Sequence, residues 1–508
     1  MRPADCLICS VQFSLSMTRL TYLFLIIAFC LVANGCSGGR AVVPDTMADR
    51  LPAMTPDYSG RPAVPRNIAP LRFRIDTPAD AYQAAVGISG GEPEIIVYSA
   101  DGEIMIPEKE WAALLDRAAG FSIDIAVASR SDGRWTGYPA MTVDVDTAAL
   151  TDWLVYRLIY PGYELWSDMG IYQRCPASFV QEALLDNRDA ERQCMNCHSF
   201  AGGDPSTMML HIRGPKGGTE IIRPGKDAIK IKPSAEGTPH GAAYPAWHPS
   251  GRYIAYAADE IQQFFHTSGS KTTEVVNMAG DMMVYDLDNG RGITDSLMAG
   301  INYIETFPTW SPDGHTLYYC RSLPLYSPAG IDSARYDLVK RQFDPVEARF
   351  TGAPEMVYEA SADSLSITVP RISPDGRWLL LTRSTYGNFM IWHHNADLCL
   401  IDLSSDNPSP RPVDEINAPD AVDSYHSWST DGRWVVFSSK RMDGNFARPF
   451  IARFDSATGR FSAPFVLPQE SPSYYDDLMR SFNVPEFVAG RVPHADSLLR
   501  LALEKPAK

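Results

Sequence analysis

The chain has 508 residues, with 61 Asp and Glu against 45 Lys and Arg, and a formal net charge of −16. That balance excludes nucleic acid as a partner and a surface that seeks anionic lipid, since both need a basic face. The length allows two or three domains. Frequent Gly and Pro, plentiful aromatics and few amphipathic helical runs favour a mainly β protein with many turns.

The first stretch reads as an address. Leu20 to Ala33 is an apolar run preceded by Arg19 and followed by Asn34-Gly35-Cys36. It is short for a membrane span and small residues come after it, so residues 1–35 read as a cleaved signal sequence, with Met17 the better start. Ala33-Asn34-Gly35-Cys36 resembles a bacterial lipoprotein signal box, which implies lipid on Cys36. An ordinary secreted protein cleaved elsewhere is the alternative, and either one takes the folded chain out of the cytoplasm. Residues 36–69, rich in Gly, Pro, Ala and small polar residues, read as a tether.

From Leu71 the texture changes. LRFRIDT, PEIIVYSA, FSIDIAVAS and AMTVDVDT alternate apolar and polar residues over strand lengths, with turn signals between them. Glu108 to Ala119 reads as one short helix. Residues 70–150 are therefore expected to form a small β-sandwich of immunoglobulin or fibronectin type. Residues 151–207 are expected to connect it to the second half of the chain through short helical or irregular pieces.

That connection ends in Cys194-Met195-Asn196-Cys197-His198. The spacing C-x-x-C-H is the attachment signal for a c-type haem. Each thiol can form a thioether to a haem vinyl group, and the adjacent His can become the proximal iron ligand. Zinc would want about four ligands, and no second Cys or His pair supplies them. A thioredoxin-like pair would sit in a βαβ pattern, which the flanks lack. A two-residue disulfide loop stays open but is strained. One covalent haem c on Cys194, Cys197 and His198 is the expectation. For the sixth iron position, Met208 and Met209 come soon after the motif, as does His211. Of the remaining cysteines, Cys320 and Cys399 lie in apolar strand-like runs and read as small buried hydrophobes.

The second half repeats. Tyr244-Pro-Ala-Trp247-His-Pro-Ser-Gly251 returns as Phe307-Pro-Thr-Trp310-Ser-Pro-Asp-Gly314, Val369-Pro-Arg-Ile372-Ser-Pro-Asp-Gly376 and Tyr425-His-Ser-Trp428-Ser-Thr-Asp-Gly432. Pro and Asp-Gly build a tight turn and an apolar strand comes next, so each copy reads as part of a four-stranded propeller blade. The copies resemble the blades of TolB-like, WD-type β-propellers. Residues 208–470 are expected to form five blades, with six allowed, and residues 471–508 a tail. The order sandwich, C-x-x-C-H, propeller resembles a group of lipoproteins from Bacteroides-type bacteria. In that resemblance Tyr156 to Ile159, Pro161 to Trp166, Met169 to Arg174, Cys194 to Ser199 and Trp247 to Gly251 look familiar. It implies fold and haem ligation, and little about biochemical role.

No G-x-S-x-G, H-E-x-x-H or phosphate-cradling Gly loop is present, and the Asp residues of the repeats read as turn caps. The leading expectation is an envelope electron carrier or redox sensor. Its propeller face would dock a redox partner or another envelope protein, and only its N-terminal lipid would reach the membrane, facing the periplasm. A TolB-like binding scaffold with a structural haem and a haem enzyme with an open distal site are the alternatives.

Overall fold

In a computed structural model the chain is described over residues 40–160, 168–238, 241–266 and 273–504, with Cys197 described by its backbone alone. The signal-sequence and lipidation expectations, Cys36 included, fall outside these residues. The molecule is mainly β, and six sheets stand around a common axis as a β-propeller.

Blade one pairs Trp153–Ile159, Met169–Arg174 and Gln181–Asp186 with Ser481–Val488, a strand from the other end of the chain. Blade two is Cys194–Phe200, Met208–Arg213, Gly218–Ile222 and Ile229–Ile231. Blades three to six begin at Ala243–Trp247, Ile304–Trp310, Ser366–Ile372 and Asp423–Trp428. Each inner strand touches the next, and that of blade six touches Ser481–Val488, so the ring closes. Closure through a terminal strand joins the first and last blades, leaving only short edges protected around the axis.

Three expectations change here. The propeller has six blades and starts at Trp153, so residues 151–207 are not a connector but blade one and the first strand of blade two. The haem motif lies on a strand, Cys194–Phe200, rather than among helices and loops. The tail after residue 470 is structural, because Ser481–Val488 completes blade one and the helix Ala495–Leu503 packs beside blades one and two.

The repeats work as read at their turns. Ser311, Ser373 and Ser429 hydroxyls donate to the Asp313, Asp375 and Asp431 carboxylates, and Gly314, Gly376 and Gly432 supply φ values of 75°, 77° and 70°. Cys320 and Cys399 are buried in their strands as expected.

The N-terminal region differs from the expected sandwich. A seven-stranded sheet carries parallel edge pairs, Thr46–Met47 with Arg134–Gly137 and Ala63–Val64 with Met141–Val145. A three-stranded sheet and the helix Glu108–Arg117 complete it, the helix burying Trp111, Leu114 and Leu115. An immunoglobulin-type sandwich has two antiparallel sheets and no core helix. The expected tether is part of this fold: Val42 N donates to Gln83 Oε1, Asp45 N to Trp135 O, and Tyr58 and Val64 are buried. This region shares its apolar core with blades five and six. Thr430 and Asp152, and Arg453 and Asp146, bond across the joint.

Candidate functional site

The site is built by one irregularity repeated six times. In every inner strand the pairing with the second strand slips by one residue, a β-bulge. The residue at the slip is Val484, Cys197, Tyr244, Phe307, Val369 and Tyr425 in blades one to six. Five of these have φ between 25° and 52°, a conformation that costs a β-branched or bulky residue. The next residue is Pro in four blades and His in two, His198 and His426. Three residues after the slip come Phe487, Phe200, Trp247, Trp310, Ile372 and Trp428.

Thus Cys197-His198-Ser199-Phe200 is itself a copy of the propeller repeat. The tryptophans confirm the register. Trp247 Nε1 donates to Ser199 O, Trp310 Nε1 to Ala246 O and Trp428 Nε1 to Arg371 O, each carbonyl two residues past a slip in the preceding blade. The haem signal is written into one inner strand, with the second Cys at the position that faces the axis elsewhere.

Tyr244, Phe307, Val369, Tyr425 and Val484 line a cavity on that axis, about 1630 Å³ with its open mouth included. Cys194, Asn196 and His198 share its wall, and so do Phe389, Ile391 and Trp392 from blade five. Arg157, Arg213, Arg371 and Lys440 also line it, whereas no Asp or Glu does among the described residues.

Arg157 holds the motif in place. One guanidinium nitrogen donates to Met195 O at 2.9 Å and Asn196 Oδ1 at 3.0 Å, and the other to Asn483 Oδ1 at 2.7 Å. Met195 N donates to Met169 Sδ at 3.1 Å. His198 is 3% exposed, and its Nε2 has no partner among the described residues. Burial, helped by Arg157, pushes its pKa down to about 3, so the imidazole is neutral. A buried neutral imidazole whose Nε2 is unpartnered among the described residues suits a metal. His426, its counterpart, donates Nε2 to Leu380 O at 2.9 Å.

The proposed distal residues lie elsewhere. Met208 packs with Met195 and Phe200 between blades one and two, and Met209 packs against Trp247 and Tyr256 toward blade three. His211 Nδ1 pairs with Thr219 Oγ1 at 2.9 Å within blade two. None of the three lines the cavity: Met208 and Met209 are buried in the cores between blades, and His211 is paired with Thr219. Arg157, Met169 and Lys440 do line it and were not singled out as site residues. Arg157 carried a signal, a lone cation inside the apolar run Trp153 to Tyr160.

The wall fits a haem: an orphaned buried imidazole nitrogen, an adjacent Cys194 thiol, apolar and aromatic surroundings, and cations without competing carboxylates.

No family model matches the chain. An uncharacterised protein of Agrobacterium fabrum is 25% identical over 207 residues, 34% of this chain and 64% of that protein. The chain thus matches a little under two thirds of that relative's length. Among solved structures, Kuenenia stuttgartiensis hydrazine synthase aligns at 11% identity and TM-score 0.41, covering 67% of this chain and 49% of that one. Puromycin hydrolase aligns at 13% identity and TM-score 0.36, covering 62% and 45%. Galerina marginata prolyl oligopeptidase B, bound to a 25mer macrocyclization substrate, aligns at 12% identity and TM-score 0.34, covering 66% and 52%.

Proposed function

We propose that this protein is a c-type haem protein of the bacterial envelope that carries or senses electrons at the centre of its propeller. The observation that carries the reading is the unpartnered Nε2 of His198, buried on a cavity wall beside Cys194 in a C-x-x-C-H motif. Cys194 and Cys197 would hold the haem and His198 would be its proximal ligand. The haem would supply a one-electron couple. The chain's own part is to fix the ligand and exclude water. Arg157 ties the motif to blade one, and the axial aromatic residues dry the cavity. Cys36 would carry the lipid that tethers the protein at the membrane, and the propeller face would meet the redox partner.

Met208, Met209 and His211 as distal ligands require the second strand of blade two to leave its place. None of the three is therefore assigned as the sixth ligand.

The alternative is a purely structural His198. It is favoured by the equivalence with His426, whose imidazole only bonds the preceding blade. Spectroscopy of His198→Ala made with a haem-maturation system separates the two. The haem reading expects attached haem with an altered Soret band. An unaltered spectrum assigns the proximal position to another residue.

A further inference from the structure

The cavity runs against the charge of the molecule. The chain carries −16 overall, yet the wall holds four cations and no carboxylate among the described residues. Three of the cations have other groups within reach. Arg157 is bonded to Met195, Asn196 and Asn483, while Arg371 is near enough to Glu486, and Arg213 to Asp259, for each carboxyl to feel its charge. Lys440 is different. It is 5% exposed, its Nζ lies 3.5 Å from the centre of the Trp392 ring, and no hydrogen bond or ion pair engages that Nζ among the described residues. The nearby carboxylate, Asp443, is taken by the backbone N–H groups of Asn445 and Phe446 and by Arg448.

Burying an amine away from water and acids is unfavourable, the Trp392 ring face offsets only part of this, and a Met there would carry no such cost. Burial pushes the Lys440 pKa down to about 7, where a nearby anion would restore the full charge. A cation kept at that expense, facing a cavity free of acids, is arranged for a negative group that comes from outside the chain.

We infer that the central cavity receives the anionic end of a small ligand, a carboxylate or an oxyanion, at Lys440. The anion has two sources: the propionates of a resident haem, which rests on the function proposed above, or a free anionic substrate, which does not.

The test uses full-length protein made with a haem-maturation system, as wild type, Lys440→Met and Lys440→Arg. Sodium nitrite and sodium oxalate are titrated by calorimetry, and the haem midpoint potential is measured. For a free anion, at least one probe binds wild type, Lys440→Met weakens it about tenfold or more, and Lys440→Arg retains most of the affinity. For a propionate, neither probe binds, while Lys440→Met lowers the midpoint potential through loss of a positive charge and Lys440→Arg restores it. Probe binding indifferent to Lys440→Met, or no probe binding together with an unchanged potential, overturns the inference. A chain that acquires no haem sinks the haem reading instead, and the nitrite and oxalate titrations then decide the anion site alone.

Discussion

Arg157 is placed to act on the proposed haem through the strand that carries the motif. Its three hydrogen bonds fix Met195 and Asn196, the residues between the two motif cysteines, against the inner strand of blade one. Arg157→Leu is expected to leave buried acceptors unpaired, at about 1–3 kcal/mol each, and to lower the fraction of chains carrying haem. Lysine supplies a point charge rather than a fork, so Arg157→Lys should recover only part of that loss. The ratio of Soret to protein absorbance reads both. Equal haem loading in Arg157→Leu would mean that the strand holds the motif unaided.

At the scale of the element, the repeat is a device for joining blades. Trp310 is buried, donates to Ala246 O of the preceding blade and packs edge-on against His248 and Phe343. Trp310→Ala should cost about 3–5 kcal/mol, and Trp310→Phe, which keeps most of the ring contact, markedly less. Denaturant unfolding measures both, and similar losses would show that the hydrogen bond dominates over packing. Four copies of the repeat were legible because aromatic-Pro-x-Trp runs straight into a Ser-Pro-Asp-Gly type of turn. Two were hidden. Cys197 to Phe200 and Val484 to Phe487 keep the bulge and the aromatic position but continue into Ala201-Gly202-Gly203 and Val488-Ala489-Gly490. The C-x-x-C-H spacing was therefore plain in the sequence while its place in the fold was not. Thr46–Met47 and Ala63–Val64 were missed for another reason: strands of two residues have no periodicity and exist only through pairing with distant partners.

The joint between blades three and four also sets a pH dependence. Asp259 is buried with a pKa pushed up to about 7, and Glu305 to about 8, both chiefly by burial. Gly280 allows this closeness, since a Cβ there would meet Asp259 Oδ1 at 2.6 Å and Glu305 O at 3.0 Å. Carboxyls that hold protons in the fold and lose them in the unfolded chain stabilise the fold at acid pH, and that stability is lost as pH rises through the folded pKa. The melting temperature should therefore fall between pH 5 and about 8.5, and Glu305→Gln should flatten the fall. A slope unchanged in Glu305→Gln would assign it to other groups.

For the whole molecule, closure and cofactor meet at one place. Blade one takes its inner strand from Ser481–Val488, and that strand supplies Asn483 to Arg157 and Val484 to the cavity wall that His198 shares. Ring closure is thus coupled to the setting of the proximal ligand, and deleting residues 481–508 should lose both the cooperative unfolding transition and haem attachment. A truncated chain that still loads haem would uncouple them. The most direct measurement of the central claim is the mass and pyridine-haemochrome spectrum of the full chain made with a c-type haem-maturation system. The account predicts one haem per chain that survives denaturation, carries the c-type spectrum and disappears in Cys194→Ser/Cys197→Ser. A chain recovered without haem, with both motif thiols free to titrate, would contradict it.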